Sequence, residues 1–372
     1  PKGHKYIVSF EWEQVPTWTY RVGGVLLKKE ISFDTSIHRI YVRYTLLDAH
    51  SETTLRLRPF LAFRSVRQWT HENNVANRSY DEVENGIRMC LYQGYPDLYM
   101  QTSKPAQWNY CPDWYRGMDY PKERERGYNA TEDLLVPGYF EMPIKKGETI
   151  TFSAGVAPIK PEQIDVMLEK EIANIDHRDS FYHCLVNAAH QFRATKDDES
   201  YILAGYPWFK PRARDTFISM PGLTLAIGEK DRFEAYMATA EKALYNFMHK
   251  EPMSVDIYEM EQPDTLLWAT WTIQQYAKYT SRKACYEKYG KLLKDIMGFI
   301  WKGLHPNLFL HENGLLYANG RDHAITWMNS QDGGRPVVPR SGYIVEFNAL
   351  WYNALKFFEQ MLEENGKQED ED

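Results

Sequence analysis

Arginine, carboxylate and tryptophan residues lie close together in sequence at three places in the second half of the chain. Arg214 and Asp215 are adjacent at the first place, and Asp264 precedes Trp268 by four residues at the second. A guanidinium donor beside a carboxylate acceptor can hold neighbouring hydroxyls of one sugar, and an indole plane can pack on the apolar face of that sugar. Asp215 and Asp264 are each also suited to capping a helix, so each is either a sugar-binding residue or a helix cap.

The third place carries Trp327, Arg340 and Glu346. Glu346 and Asn348 interrupt the apolar start of a predicted helix. Glu346 is either an acid favoured by the positive helix N-terminus or a carboxylate that faces a cavity, and both interpretations stay open.

The first half of the chain has a period of two. From residue 4 to about residue 158, apolar and polar residues alternate, and Gly23 and Gly24 separate two such runs as a hairpin turn does. We therefore predict antiparallel strands that form a β-sandwich domain over residues 1–158. Residues 107–138 mix aromatic residues with prolines and charges, and we predict a long loop there.

The apolar period changes to 3.6 residues at Pro161, as is typical of helices with one buried stripe. About seven helices follow, near residues 161–175, 181–192, 216–227, 231–247, 265–279, 281–300 and 345–362. Antiparallel helix pairs after a β-sandwich indicate an α+β multidomain chain whose second domain, residues 159–372, is a helical toroid. Loops at one rim of a toroid meet over a central cavity, so their polar residues are the site candidates.

Composition excludes several classes of partner. The 372 residues carry a formal net charge of −7, which favours neither nucleic acid nor an anionic membrane surface. No run of 18 apolar residues is present, so we expect no membrane span. The four cysteines fit neither a zinc motif nor a disulfide framework, which indicates a reduced, cytoplasmic compartment. The histidines lack metal-ligand spacing and no phosphate-binding glycine loop occurs, so we expect neither a metal nor a cofactor.

Three motifs together resemble the glycogen debranching enzyme family in its amylo-α-1,6-glucosidase part. Residues 204–222 contain AGYPWF and RDTFIS, residues 262–268 read QPDTLLW, and residues 326–355 contain TWM and VEFNALWYNAL. The resemblance covers about residues 158–364 and extends to the first half only through the order of domains. The family fold is an (α/α)6 toroid, preceded in bacterial members by a β-rich domain, and we expect that toroid here, truncated to about seven helices.

The resemblance implies hydrolysis of α-1,6-linked glucose at branch points, with inversion, and glycogen or an α-glucan oligosaccharide as the partner. It implies that Arg214 and Asp215 hold the non-reducing glucose, with Trp208 and Trp327 as stacking neighbours. The remaining candidate binding residues are Trp268, Arg340 and Glu346.

The family pattern places the general acid directly after TWM, where this chain has Asn329. An amide cannot deliver a proton to a leaving oxygen. Asp264, Asp322 and Asp332 are the alternatives, and we favour Asp264 because it opens a helix beside Trp268. An inverting reaction also needs a general base about 6.5–9.5 Å from the acid, and the resemblance places that base in a later segment, outside this chain.

Two features suggest part of a longer protein. Pro1 is not an initiator residue, and seven helices fall short of the twelve in a complete toroid, so a chain of this kind can be catalytically silent alone. Two other functions stay open. One is a glucan-binding module that lost its acid at Asn329, and the other is a different toroid enzyme, such as a trehalase or a glycoside phosphorylase.

Overall fold

The computed structural model describes residues 2–206 and 209–365. Residues 1–187 and 188–372 form two compact units. The first unit consists mainly of antiparallel strands and the second mainly of helices, so the predicted order of strands and helices is confirmed. In the described ranges, no helix is both long and apolar enough to cross a bilayer.

Strands within residues 2–187 form two antiparallel sheets. They are β1 (Ile7–Trp12), β2 (Pro16–Val22), β3 (Val25–Asp34), β4 (Arg39–Asp48), β5 (Thr53–Leu57), β6 (Asp81–Val83), β7 (Gly86–Met89), β8 (Leu98–Thr102), β9 (Gln107–Asp119), β10 (Thr131–Ile144) and β11 (Thr149–Gly155). The larger sheet has the order β1-β2-β3-β4-β11-β8-β7-β6, and the smaller has the order β5-β10-β9.

Both sheets contribute to one apolar core. Leu46 and Ile150 of the larger sheet are buried in a cluster that also contains Phe140 and Met142 of the smaller sheet. Because successive side chains of a strand point to opposite faces, the alternating pattern puts one apolar face of each sheet into this cluster. Removing these faces from water is the main term that stabilises the first unit.

The predicted loop over residues 107–138 is wrong. These residues lie in a long hairpin of β9 and β10, with a short helix, α1 (Pro121–Glu125), in the connection. The pairing register shifts where Pro112 and Pro137 occur. A proline tolerates such an interruption because no ladder hydrogen bond is required from its missing N–H, so prolines there do not break the strands.

The compact first unit extends past the predicted domain boundary at residue 158. Helix α2 (Pro161–Ala173) buries Ile164 and Leu168 against Tyr41 of β4. The next helix, α3 (Phe181–Gln191), spans the division between the units. The change from strands to helices therefore precedes the division between compact units, because the first long helix packs on the sheet.

The second unit is built from long helices and short hairpins. Its elements are β12 (Arg193–Lys196), β13 (Glu199–Ile202), α4 (Ala213–Leu223), α5 (Lys230–His249), α6 (Thr265–Tyr279), α7 (Arg282–Trp301), β14 (Leu308–Leu310), β15 (Leu316–Ala318), β16 (Gln331–Asp332), β17 (Arg335–Pro336) and α8 (Val345–Asn365). Helices α2 to α8, within the described ranges, match the predicted number of seven.

Helix α6 lies at the centre of the helical packing, against α4, α7 and α8. Its contact with α8 includes a polar pair, because the amides of Gln274 and Asn353 exchange two hydrogen bonds of 3.2 and 2.9 Å. The predicted start of α7 at Ser281 is confirmed, since the Ser281 hydroxyl accepts a hydrogen bond from the Ala284 N–H at 3.1 Å.

A proline inside α4 creates a second polar connection to α6. Pro221 has no N–H, so the carbonyl of Phe217 lacks the donor that a continuous helix provides. The Thr272 hydroxyl on α6 donates to this carbonyl at 2.7 Å. The two helices are therefore joined through a backbone group that the proline leaves unpaired.

Candidate active site

Arg214, in the first turn of α4, forms a buried ion pair with Asp264, the residue before α6. Its Nε donates to Oδ2 of Asp264 at 2.7 Å, and its Nη2 donates to Oδ1 at 2.8 Å. The two side chains are only 10% and 4% exposed. Two parallel charge-assisted hydrogen bonds fix orientation as well as distance, so this pair holds the starts of α4 and α6 together.

The same ion pair is also hydrogen-bonded to the residue directly before the third sequence segment and to Trp268. Nη2 of Arg214 also donates to the backbone carbonyl of Ile325 at 3.3 Å, and Nε1 of Trp268 donates to Oδ2 of Asp264 at 3.2 Å. Nη1 of Arg214 has no acceptor within the described residues. One guanidinium thus joins the first segment to the second and to the residue directly before the third, and its Nη1 stays available as a donor.

A second arginine–carboxylate pair, between Arg340 and Glu346, is more exposed to solvent than the first. The Arg340 guanidinium donates to both carboxylate oxygens of Glu346, from Nη2 to Oε2 at 2.8 Å, and Nε1 of Trp327 donates to Oε1 at 3.0 Å. The hydrogen bonds from Arg340, with a smaller contribution from Trp327, lower the pKa of Glu346 to about 2. Glu346 is therefore an ionised acceptor at neutral pH and does not suit the role of general acid.

The two pairs are neighbours because one short stretch of chain contacts both. The Ile325 carbonyl binds Arg214, and Trp327 binds Glu346. Two residues of fully extended chain span at most about 7 Å. The Trp327 side chain is among the exposed large apolar groups, at 60% exposure, so its ring is open to solvent beside both pairs.

Asp264 occupies the cap position of α6, yet its side chain makes no capping hydrogen bond. Both of its oxygens accept from Arg214, and one accepts from Trp268 as well. A proton donor has to turn an oxygen toward the leaving group. The observed contacts suit Asp264 to positioning Arg214 and do not favour the acid role expected for it.

The other predicted acids and acceptors are exposed. Asp215 lies next to Arg214 on α4, and Arg214 pairs with Asp264 instead of with this neighbour. Asn329 is exposed on the loop before β16, and Asp332 is exposed within β16. Asp322 is exposed in the preceding loop.

Two further residues named from the sequence are Asn348, which is not part of these two ion-pair clusters, and Trp208. Asn348 has a structural role, since its amide accepts from the N–H of Leu316 at 2.8 Å and donates to the carbonyls of Leu316 and Ile344 at 3.0 Å each. It thereby anchors β15 to the start of α8. Trp208 lies outside the described residues.

Sequence reasoning missed two parts of this region. The Ile325 carbonyl is a backbone group, for which no side-chain pattern gives a signal. The ring of His311 stacks on Tyr317 at 5.1 Å, and its Nδ1 is hydrogen-bonded to the Tyr343 hydroxyl at 2.7 Å. His311 and Tyr343 are 32 residues apart in sequence, so no local spacing indicates this cluster.

Comparison with protein families gives two matches. A model described as Glycogen debranching enzyme N terminal matches residues 1–151. A model described as Amylo-alpha-1,6-glucosidase matches residues 182–372. No curated protein matches the chain.

Solved structures show weak likenesses. A bacterial glucoamylase complexed with acarbose is 12% identical, with a TM-score of 0.40, over 97% of this chain and 58% of its own. A family GH92 alpha-mannosidase from Bacteroides thetaiotaomicron is 8% identical, with a TM-score of 0.27, over 94% of this chain and 58% of its own. The chain thus spans less than two thirds of the length of either structure.

Proposed function

The chain belongs to the glycogen debranching enzyme family, and on that premise we propose that its second unit hydrolyses α-1,6-linked glucose at branch points of an α-glucan, with inversion. The observation that carries this proposal is the guanidinium of Arg214, which joins the first segment that resembles the family to Asp264 of the second and to Ile325, the residue directly before the third. A donor fixed in advance by buried contacts is what a sugar site needs, because little order is lost when the sugar binds. The architecture proposed is an (α/α)6 toroid that follows a β-sandwich in the chain and includes helices α4 to α8.

In this proposal, the free Nη1 of Arg214 donates to a hydroxyl of the non-reducing glucose, and the exposed carboxylate of Asp215 accepts from a second hydroxyl. The open ring of Trp327 packs on an apolar sugar face. Glu346, held ionised by Arg340, serves as a fixed acceptor beside that ring.

A hydrolytic mechanism needs a proton donor other than the residue at the family position, because that residue is Asn329. Both oxygens of Asp264 accept from Arg214, whereas Asp332 is exposed in β16, three residues after Asn329. We therefore assign the acid role to Asp332 if the protein turns over. The amide at Asn329 also favours a second candidate function, the binding of glucan without turnover.

The test uses the full-length protein that contains this chain, with phosphorylase-limit dextrin as substrate and free glucose as the measured product. Hydrolysis predicts glucose without maltooligosaccharide, and loss of that glucose in Asp332→Asn. Binding without turnover predicts no glucose from the wild type and release by Asn329→Asp. Ser330→Asp is the matched control, since it adds the same charge one residue away.

Three outcomes separate the two functions. Glucose from the wild type supports the hydrolase, and glucose only from Asn329→Asp supports the binding module. If neither protein releases glucose and neither is retarded by glycogen in a native gel, both functions are wrong for this chain.

A further inference from the structure

A cavity of about 490 Å³ opens in the first unit between the larger sheet and β5, an edge strand of the smaller sheet. This volume falls within the range of about 300–1,000 Å³ that is usual for small-molecule sites. Its lining combines aliphatic side chains, among them Leu27 and Leu55, with Tyr6, Tyr20, Tyr44 and Lys29. No residue of the candidate active site belongs to this cavity.

Aromatic rings and the lysine form a row across four strands beside the cavity. Phe10 of β1 pairs with Trp18 of β2, Trp18 pairs with Lys29 of β3, and Lys29 pairs with Tyr44 of β4. The Lys29 Nζ lies 5.9 Å from the Trp18 ring and 6.0 Å from the Tyr44 ring. With strands about 4.8 Å apart, the row is about 14 Å long, which is an elongated surface.

Polar atoms of the row and of the adjoining cavity lack hydrogen-bond partners among the described residues. Lys29 has no carboxylate partner within the described residues, whereas its neighbour Lys28 pairs with Glu30. The hydroxyls of Tyr20 and Tyr44 make no hydrogen bond within the same residues. Burial lowers the pKa of Lys29. Burial also raises the pKa of Tyr20, and that of Tyr44 to about 12, so both phenols are neutral donors at pH 7.

An apolar partner on this surface would leave a half-buried ammonium and two phenols without hydrogen bonds, which is unfavourable. A sugar chain satisfies both kinds of group, because each ring offers an apolar face to an aromatic plane and a rim of hydroxyls to polar atoms. An elongated row also suits several consecutive sugar units better than one.

We propose that this groove is a second, non-catalytic site that binds a linear segment of α-glucan. The choice of α-glucan over other polysaccharides rests on the function proposed for the second unit. Engagement of one polymer at two sites raises the apparent affinity of the whole protein for a branched glucan without any new contact at the catalytic site.

The experiment titrates maltoheptaose into the full chain by isothermal calorimetry and counts sites. Two sites are expected for the wild type. Lys29→Met keeps the length and apolar volume of the side chain, and Tyr20→Phe keeps the ring. Each variant is expected to weaken one site by about tenfold, as the loss of a hydrogen bond from a charged or buried donor does.

Two further variants make the result decisive. Tyr128→Ala removes an aromatic side chain, 60% exposed, outside the groove and should leave both sites intact. Trp327→Ala tests the second unit separately and should weaken only the other site. Thermal melting of each variant establishes that it is folded.

Unchanged binding in both Lys29→Met and Tyr20→Phe overturns the inference, as does a single site in the wild type that only Trp327→Ala weakens. A single site that Lys29→Met weakens and Trp327→Ala leaves intact supports the groove and removes the function proposed for the second unit. Absence of any binding removes both.

Discussion

The two arginine–carboxylate pairs of the second unit differ in burial. The side chains of Arg214 and Asp264 are 10% and 4% exposed, and those of Arg340 and Glu346 are 22% and 34% exposed. A buried charge that loses its partner stays unpaired away from water, whereas a charge near the surface recovers hydration. The inner pair therefore fixes the positions of three segments, and the outer pair adjusts the local charge at modest cost.

The largest effect expected from this difference is that of breaking the inner pair. Asp264→Ala leaves the Arg214 guanidinium buried without a counter-charge, and we expect the second unit to lose about 3–5 kcal/mol of stability. Urea unfolding followed by tryptophan fluorescence measures the loss, with the first unit's transition as an internal reference. A loss below about 1 kcal/mol would contradict the assignment of the inner pair as the fixed element.

A double variant sharpens this result. Arg214→Met with Asp264→Leu replaces both charges by apolar groups of similar size, which often restores stability after a single partner is lost. We expect the double variant to be more stable than Asp264→Ala and still unable to bind glucan in the second unit. Recovery of binding in the double variant would show that the guanidinium does not contact the sugar.

A smaller effect is expected from the outer pair. Glu346→Gln should cost at most about 1 kcal/mol, because water screens a pair that is partly exposed. The difference from wild type should shrink in 1 M NaCl, where the Debye length is about 3 Å. Glu359→Gln, on the same helix and paired with Lys356 at the surface, is the matched control.

The smallest effect is a pH dependence of the outer pair. The pKa of Glu346 is about 2 in the folded chain and about 4.3 in an unfolded one, so its contribution is present above pH 4.3 and is lost as pH falls toward 2. Wild type should exceed Glu346→Gln in stability at pH 5, by less than about 1 kcal/mol, and the gap should close near pH 2. A gap that stays constant between pH 5 and 2 would mean that Glu346 is not held ionised by Arg340.

Local patterns in the sequence predict the elements of this chain better than the contacts between them. The Ser281 cap and the helices from Pro161 onward follow from spacing within a few residues, and the structure has them. The hairpin of β9 and β10 was missed because its prolines argue against strands, and only the partner strand shows that they lie at a register shift.

In the candidate site, too, the sequence predicts local features better than contacts between distant residues. Asp264 is at the cap position that its neighbours predict, but its side chain pairs with a residue 50 positions away. From the sequence alone, Asp215 is the obvious partner of Arg214, because the two residues are adjacent. The sequence does not show which residues become neighbours in the folded chain. The Ile325 contact uses a backbone carbonyl, which every residue type provides equally.

The proline in α4 restricts how the second unit can move. Sliding α4 along α6 by one turn, about 5.4 Å, would withdraw the Thr272 hydroxyl and leave the Phe217 carbonyl unpaired in the interior, at about 1–3 kcal/mol. Residues 327–343 are mostly exposed, and Trp327 and Arg340, near the two ends of this stretch, both donate to Glu346. The Thr272 hydrogen bond and the Arg214–Asp264 pair thus hold α4 and α6 in one register, so a sugar chain meets a frame that is already set.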